Sequence, residues 1–230
     1  MAVILNIETS GKTCSVALTA EGMILRHYEN FEGRNHATLL SDYIKSCLDH
    51  LEDHELKLEA VAVSLGPGSY TGLRIGLSEA KGLAYALDIP LIGLSTLEIM
   101  AVGVMFREDA DPDALLVPMI DARRMEVYTA VYDFALTPVV APTPLILADD
   151  SYERFLAEGP VTFFGDGSDK ARDLFGSNPN ARFIPDIVPL ATDMTALADR
   201  AFARRQFLDL AYSVPEYLKD FQAIKPKKLF

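Results

Sequence analysis

A glycine-rich turn between a strand-like run and a helical pattern is the feature that most restricts how this chain can fold. The apolar run covers residues 61–65, and the helical pattern begins near Thr71. The turn between them holds Gly66, Gly68 and Gly72. Such a turn can place backbone N–H groups around an anion, or it can seat a helix close against a sheet. Because the glycine spacing matches neither a phosphate loop nor the dinucleotide-binding fingerprint, the residues alone favour packing.

Taken as one string, residues 66–76 (Gly-Pro-Gly-Ser-Tyr-Thr-Gly-Leu-Arg-Ile-Gly) are highly specific. The string resembles the signature of the TsaB (YeaZ) family. Residues 214–218 (Val-Pro-Glu-Tyr-Leu) resemble that family's C-terminal segment, with Lys219 where arginine is usual. The resemblance implies an α/β fold of the two-lobed actin-like ATPase type (ASKHA, ribonuclease H-like), with mixed sheets and flanking helices. It also implies a non-catalytic partner of a TsaD-like transferase and a TsaE-like ATPase. Together these would modify N6 of adenosine 37 in tRNAs that read ANN codons.

Composition argues against several other classes of protein. A formal net charge of −12 disfavours a chain that binds nucleic acid alone, because phosphate binding needs a basic surface. We therefore expect tRNA contact only through a complex, in which the basic tail (Lys225, Lys227 and Lys228) could take part. The sequence has no apolar run of about 18 residues, so it predicts no membrane span. We also recognise no signal peptide. Cys14 and Cys47 lie on apolar patterns, as expected of buried thiols in the cytoplasm.

The order of predicted elements occurs twice, which indicates two lobes. In the first half, a buried strand over residues 2–8 ends in an acidic residue and a small-residue turn. In the second half, a strand over residues 115–120 is followed by Asp121 and a short turn. A strand, a glycine-containing turn and a helix occur in both halves, beginning at residues 61 and 161.

The polar, proline-bearing stretch at residues 109–113 is the best lobe boundary. We predict an N-terminal actin-like lobe over residues 1–108, which carries the partner-binding helices, and a smaller C-terminal lobe over residues 109–230. The proline-rich segment 137–144 predicts an edge strand or a connection. A final long helix over residues 191–205 could pack back on the first lobe.

The hairpin turns of both lobes are candidates for a nucleotide site. In actin-like ATPases a carboxylate near the first hairpin positions a metal–nucleotide complex, and the resemblance would give that role to Glu8. The simpler alternative is that Glu8 only ends a strand. Neither glycine turn contains a lysine, and Asp166 and Asp169 would repel phosphate unless Mg²⁺ intervened. We therefore expect no required cofactor, and at most a weak, vestigial ATP or ADP site with Mg²⁺ at a subunit boundary, formed by Glu8, Thr9, Ser10, Asp121, Gly165 and Gly167.

Catalytic and metal-binding residues are not predicted. The transferase that resembles this family holds a metal with two histidines four residues apart, but here His36 is followed at that spacing by Leu40. One imidazole beside a leucine cannot make that site. His50 and His54 have the spacing but lie among acidic residues, which favours a solvated helix end. Since no Ser-His-Asp or Cys-His set has a supporting context, we predict that the chain by itself is not an enzyme.

Two amphipathic helices are the predicted partner surface. Apolar residues follow helical spacing in residues 35–51 and again in the sparsely charged residues 72–87. Burial inside one lobe is the alternative. The resemblance implies a four-helix bundle with matching helices of the TsaD-like transferase, and the same surface could form a homodimer in its absence. The predicted interface residues are Leu40, Tyr43, Ile44, Cys47, Leu48, Leu51, Leu73, Leu77, Ala80 and Ala84.

Two enzymatic alternatives stay open from the residues alone. The first is a small actin-like ATPase or sugar kinase that uses Glu8, Asp121 and the turn at residues 165–168. The second is a glycoprotease-like metallopeptidase, which the missing second histidine disfavours.

Overall fold

The computed structural model describes residues 2–33, 36–107 and 110–219. Three predictions lie outside these residues: the helix start at Asn35, the lobe boundary between residues 108 and 109, and the basic tail. The described chain forms two five-stranded sheets. The first sheet has the order β3-β2-β1-β4-β5, with β1 (Val3–Glu8), β2 (Cys14–Ala20), β3 (Met23–Asn30), β4 (Ala60–Gly66) and β5 (Leu91–Ser95).

The second sheet repeats the pairing pattern of the first. Its order is β10-β9-β6-β7-β8, with β6 (Leu115–Asp121), β7 (Glu126–Tyr132), β8 (Pro138–Ile146), β9 (Val161–Phe164) and β10 (Ala181–Ile184). In each sheet the central strand, β1 or β6, pairs antiparallel with a hairpin partner and parallel with a strand from later in the chain. The proline-rich β8 lies at a sheet edge, as predicted. The repeated order confirms a two-lobed actin-like α/β fold.

Six helices and one 3₁₀ turn accompany the sheets in the described residues. The helix predicted over residues 191–205 is divided into a 3₁₀ turn (Ala191–Met194) and a helix that ends at Ala203. No helix in the described part of the chain is both long and apolar enough to cross a membrane. The helices are α1 (His36–Asp53), α2 (Tyr70–Leu87), α3 (Thr96–Arg107), α4 (Glu153–Glu158), α5 (Ser168–Phe175) and α6 (Thr195–Ala203).

The apolar sides of α1 and α2 pack against the first sheet and form the core of the first lobe. This corrects the choice of partner-binding residues, because eight of the ten are buried: Leu40, Ile44, Cys47, Leu51, Leu73, Leu77, Ala80 and Ala84. Tyr43 and Leu48 are partly buried against the same core. The apolar residues of a helix have the same spacing whether the helix packs on its own sheet or on a partner protein. The sequence pattern therefore could not distinguish core residues from interface residues. Whether the outer sides of these helices bind a partner stays a prediction.

The opposite face of the first sheet is covered from the C-terminal part of the chain. Met194 of the 3₁₀ turn and Leu197 of α6 are buried with Ile4 and Ala62 of the first sheet. The neighbouring α3 contributes to this core and also to a second one, in which Leu97 and Met100 pack with Leu116 and Phe164 of the second sheet. The helix α3 is therefore a layer shared by both lobes.

Candidate partner surface and interlobe cleft

The turn that joins β1 to β2 is bonded directly to the start of α2. The Ser69 N–H donates a hydrogen bond to the Ser10 carbonyl over 2.6 Å. The Thr9 hydroxyl donates to the Gly72 carbonyl over 2.9 Å. The Ser69 hydroxyl in turn accepts from the Gly72 N–H at 3.2 Å and caps the helix. Acceptors of the chain itself therefore take up the Ser69 and Gly72 N–H groups at the start of α2.

The contact between this turn and α2 requires glycine at residues 68, 72 and 76. A Cβ atom on Gly68 would lie 2.4 Å from the Ser10 carbonyl oxygen, and one on Gly72 would lie 2.1 Å from that of Thr9. A Cβ on Gly76 would lie 2.2 Å from Thr9 Oγ1. Real Cβ atoms do not approach other atoms so closely, so only glycine fits. The packing interpretation of the glycine-rich turn is confirmed.

The two lobes face each other across a cleft whose floor is the turn at residues 10–12. On one side of this turn the cleft measures about 620 Å³ and is lined also by His36, Asp121 and Tyr128. On the other side of the turn the cleft has a volume of about 300 Å³ and is lined also by the loop at residues 185–189. Of the predicted nucleotide-site residues, the cleft brings together Ser10, Asp121 and Gly165, whereas Glu8, Thr9 and Gly167 do not line it.

Glu8 lies beneath the turn instead of in the cleft. Its side chain is completely buried, and its Oε1 accepts a hydrogen bond from the Ser10 N–H over 2.5 Å. Burial raises the pKa of the Glu8 carboxyl, and hydrogen bonds from Ser10 offset this only in part. Glu8 therefore holds the turn, and the structure corrects the expectation that it faces a metal–nucleotide complex.

Asp121, the counterpart in the second lobe, is bound by groups of its own chain. Its Oδ1 accepts hydrogen bonds from the Arg123 N–H at 2.5 Å and from Lys170 Nζ at 2.8 Å. Burial acts to raise the pKa of Asp121, but the Lys170 ammonium and the Arg123 N–H outweigh it and lower the pKa. Lys170 Nζ also donates to the Glu126 carbonyl at 3.0 Å. The sequence pattern did not reveal this lysine because it follows the glycine turn and lies inside a helix.

The second glycine turn packs against β6 much as the first packs against β1. Gly165 has a φ of +94°, and a Cβ on it would lie 2.3 Å from the Met119 carbonyl oxygen. A Cβ on Gly167 would lie 2.9 Å from the Val127 side chain. Both turns are thus filled by their own lobes. Together with the buried Glu8 and the paired Asp121, this fits a Mg²⁺–nucleotide complex poorly.

His50 and His54 are bonded to groups of their own lobe, since His54 Nδ1 lies 2.9 Å from the His50 carbonyl oxygen. The His50 and His54 rings lie with their centroids 4.0 Å apart and are tilted by 43°, and Arg26 Nε donates to His50 Nδ1 at 3.3 Å. Partial burial, the neighbouring His54 and the Arg26 charge together lower the pKa of His50. The described residues contain no group of three His, Cys, Asp or Glu side chains that could hold a metal ion.

The outer sides of α1 and α2 form an open groove, which we call the α1/α2 face. A volume of about 560 Å³ lies between the start of α1 and the outer side of α2, lined by Ala37, Tyr70, Thr71, Arg74, Ile75, Ser78 and Glu79. The Ser41 hydroxyl donates to Glu79 Oε1 at 3.0 Å and joins the two helices. These residues alternate with the buried stripe, so their positions follow from it once the stripe is assigned to the core.

Residues 207–219, which we call the C-terminal strap, run along the first lobe. The Leu208 N–H donates to the Leu91 carbonyl at the edge of β5 over 2.8 Å, and the Glu216 N–H donates to the Leu65 carbonyl over 2.8 Å. At the end of the strap, Lys219 forms an ion pair with Glu126 of the second lobe. The strap therefore connects the two lobes outside their shared core.

The repeated sheets and the two hairpins around one cleft define a two-lobed actin-like α/β protein. The family model described as TsaD: tRNA N6-adenosine threonylcarbamoyltransferase matches residues 30–229. Over 166 residues, 70% of each chain, the sequence is 37% identical to the tRNA threonylcarbamoyladenosine biosynthesis protein TsaB of Bacillus subtilis (strain 168). Over 229 residues, 96% of each chain, it is 30% identical to the protein of the same name from Escherichia coli (strain K12).

A solved structure agrees with these relatives. The protein from Pseudomonas aeruginosa described as similar to peptidase YEAZ superposes with a TM-score of 0.82 at 28% identity, covering 95% of this chain and 100% of that chain. The chain belongs to the TsaB (YeaZ) family, and the resemblance carried by residues 66–76 is confirmed.

Proposed function

We propose that this chain is a non-catalytic, cytoplasmic subunit that binds and supports a TsaD-like transferase in the N6-threonylcarbamoylation of adenosine 37 of tRNAs reading ANN codons. Membership of the TsaB family supports the role in tRNA threonylcarbamoyladenosine biosynthesis. The single observation that carries the scaffold role is the open outer side of α2.

Gly82 is the residue on this side that the chain's own packing does not explain. It is exposed, and a Cβ on it would have no neighbour within 4 Å. Glycine inside a helix costs about 1 kcal/mol relative to alanine. Ser78 lies one turn earlier on the same side. These two small residues leave room for a partner helix to pack close to α2, with an interaxial distance at the short end of the roughly 8–10 Å range.

The same surface would pair two copies of this chain when the transferase is absent, because a two-fold dimer uses one self-complementary patch. The TsaE-like ATPase would join the assembled pair. Transfer RNA would be held through the complex, since a chain of net charge −12 lacks the basic surface that phosphate binding requires.

No cofactor is required in this role. Asp121 is already paired with Lys170, and Glu8 is buried. Any ATP or ADP bound with Mg²⁺ at a subunit boundary would therefore depend on groups from the partner.

Sedimentation velocity of the chain, alone and mixed with the TsaD-like transferase of the same organism, tests the proposal. We expect a homodimer that gives way to a one-to-one heterodimer. In Gly82→Leu the added Cβ meets no described atom within 4 Å, so the variant should fold normally and fail to associate.

Gly159→Leu is the matched control, because a Cβ on Gly159 also meets nothing within 4 Å and its φ of 171° is extended. This variant lies in the second lobe and should associate like the wild type. A wild-type chain that sediments unchanged with the transferase would refute the proposal. If both variants associate equally well, the surface that binds the partner does not include the outer side of α2.

A further inference from the structure

Arg74 is held in a fixed orientation on the exposed side of α2. Its Cζ atom lies 4.2 Å from the centroid of the Tyr70 ring, a cation–π distance. Its Nε donates a hydrogen bond to the Tyr217 hydroxyl at 3.1 Å. The two tyrosine rings lie 5.4 Å apart. The guanidinium plane is therefore fixed by one residue of α2 and by one residue of the C-terminal strap.

Most of the hydrogen-bonding capacity of Arg74 is left unused by the described residues. A guanidinium carries five N–H donors, and only the Nε–H of Arg74 has an acceptor within the described ranges. The Nη groups form a planar fork that matches the two oxygens of a carboxylate. An arginine that is oriented in advance loses less conformational freedom when such a partner binds.

We propose that Arg74 is the anchor through which the α1/α2 face binds the carboxylate of an Asp or Glu side chain on its protein partner. The inference rests on the proposed function and adds the chemistry of the contact. Arg and Tyr are the residue types enriched at the energetic centres of protein interfaces. Here Arg74 and Tyr70 line one end of the groove, beside the apolar Ile75.

A protein carboxylate fits this anchor better than an RNA phosphate does. The other charged residue that lines the groove is the acidic Glu79, and Lys81 farther along α2 already donates to the carbonyls of Ala211 and Ser213. Phosphate binding gains its strength from several cations acting together. One oriented cation with aromatic and apolar neighbours provides instead a single ion pair.

Tyr217 acts as a positioning residue for the anchor. It belongs to the C-terminal strap, whose Glu216 N–H is bonded to the end of β4. The docked strap therefore places the hydroxyl that orients the guanidinium. Loss of this hydroxyl should weaken partner binding even if Tyr217 itself never touches the partner.

The test is the affinity of the full-length chain for the TsaD-like transferase of the same organism, measured by isothermal titration at two salt concentrations. We expect Arg74→Gln to weaken binding by about tenfold or more, and Arg74→Lys to restore only part of the loss because an ammonium cannot bind bidentately. We expect Tyr217→Phe to weaken binding less than Arg74→Gln. The loss caused by Arg74→Gln should shrink at high salt, as expected for an ion pair.

Arg154→Gln is the matched control, because Arg154 also stacks on an aromatic ring, with its Cζ 4.4 Å from the Phe155 centroid, but lies in the second lobe. It should bind like the wild type. Equal binding by Arg74→Gln and Arg154→Gln would overturn the anchor while leaving the proposed function intact. If Arg74→Gln leaves transferase binding unchanged but causes loss of tRNA from the complex, Arg74 binds a phosphate of the tRNA. This result would also overturn the anchor. If the wild-type chain does not bind the transferase, both proposals fail.

Discussion

Gly72 and Thr9 touch through their backbones. A Cβ atom on Gly72 would lie 2.1 Å from the Thr9 carbonyl oxygen, and the Thr9 hydroxyl donates to the Gly72 carbonyl over 2.9 Å. One helix turn and one hairpin turn are thus in direct contact, and a single methyl group has no space between them.

Gly72→Ala should therefore destabilise the chain by about 2 kcal/mol or more, since overpacking against backbone cannot be relieved by a rotamer change. Gly82→Ala on the same helix is the matched control. It introduces the same methyl group where nothing lies within 4 Å, and it should stabilise the chain by up to about 1 kcal/mol through helix propensity. Urea unfolding of the two variants measures both changes. Equal effects of the two substitutions would contradict the packing explanation of the motif.

A pH dependence of stability is expected from the buried Asp193. Its Oδ2 accepts from Arg107 Nη2 at 2.7 Å. Burial raises the pKa of Asp193 to about 7, against the lowering effect of Arg107 and with a further rise from Glu29 and Glu8. The folded state thus retains a proton that the unfolded chain releases near the ordinary aspartate pKa of 3.8. The stability contributed by this group is complete below that value and is lost as the pH rises to about 7.

Urea unfolding of the wild type and of Asp193→Asn between about pH 4 and pH 8 isolates this contribution, because the amide cannot titrate. The difference in unfolding free energy, wild type minus variant, should fall across this range and level off above it. A difference that is constant with pH would show that Asp193 stays ionised beside Arg107.

The chain alone is expected to bind Mg²⁺–ATP no more tightly than about 1 mM. The carboxylate of Glu8 is buried, and that of Asp121 is paired with Lys170. Isothermal titration of Mg²⁺–ATP into the chain alone measures this affinity. The same titration into the complex with the TsaD-like transferase gives the comparison. Saturable micromolar binding by the chain alone, lost in Asp166→Ala in the cleft, would restore the ATPase alternative.

Local patterns in the sequence predicted much of the fold. The strand, glycine turn and helix at residues 60–87 and the strand pair at residues 115–132 occur nearly where periodicity placed them. The helix α4 and the strand β10 were not predicted, because segments of six and four residues are too short to show a period. The final helix was predicted too long, since its first turn is a 3₁₀ turn (Ala191–Met194) with Asp193 buried in it.

The candidate site was harder to predict, because it depends on which side of an element is covered. Leu40 and Leu77 follow the same spacing whether they face a sheet or a partner, and only the tertiary structure buries them. Glu8 ends its strand as predicted, yet its direction depends on the hairpin turn that rests on α2. The pairing of Arg74 with Tyr217 joins residues 143 positions apart, which no local pattern can indicate.

The contact between the hairpin turn and the glycines of α2 also has a mechanical consequence. Residues 10–12 form the floor of the interlobe cleft, and Gly68 and Gly72 touch the adjoining Ser10 and Thr9 with no side chain in between. A side chain in such a contact can absorb a small displacement by changing its rotamer, whereas two touching backbones must move together. The helix that faces outward and the floor that faces inward are therefore joined through backbone contacts at these glycines, with no side chain between them to absorb a displacement.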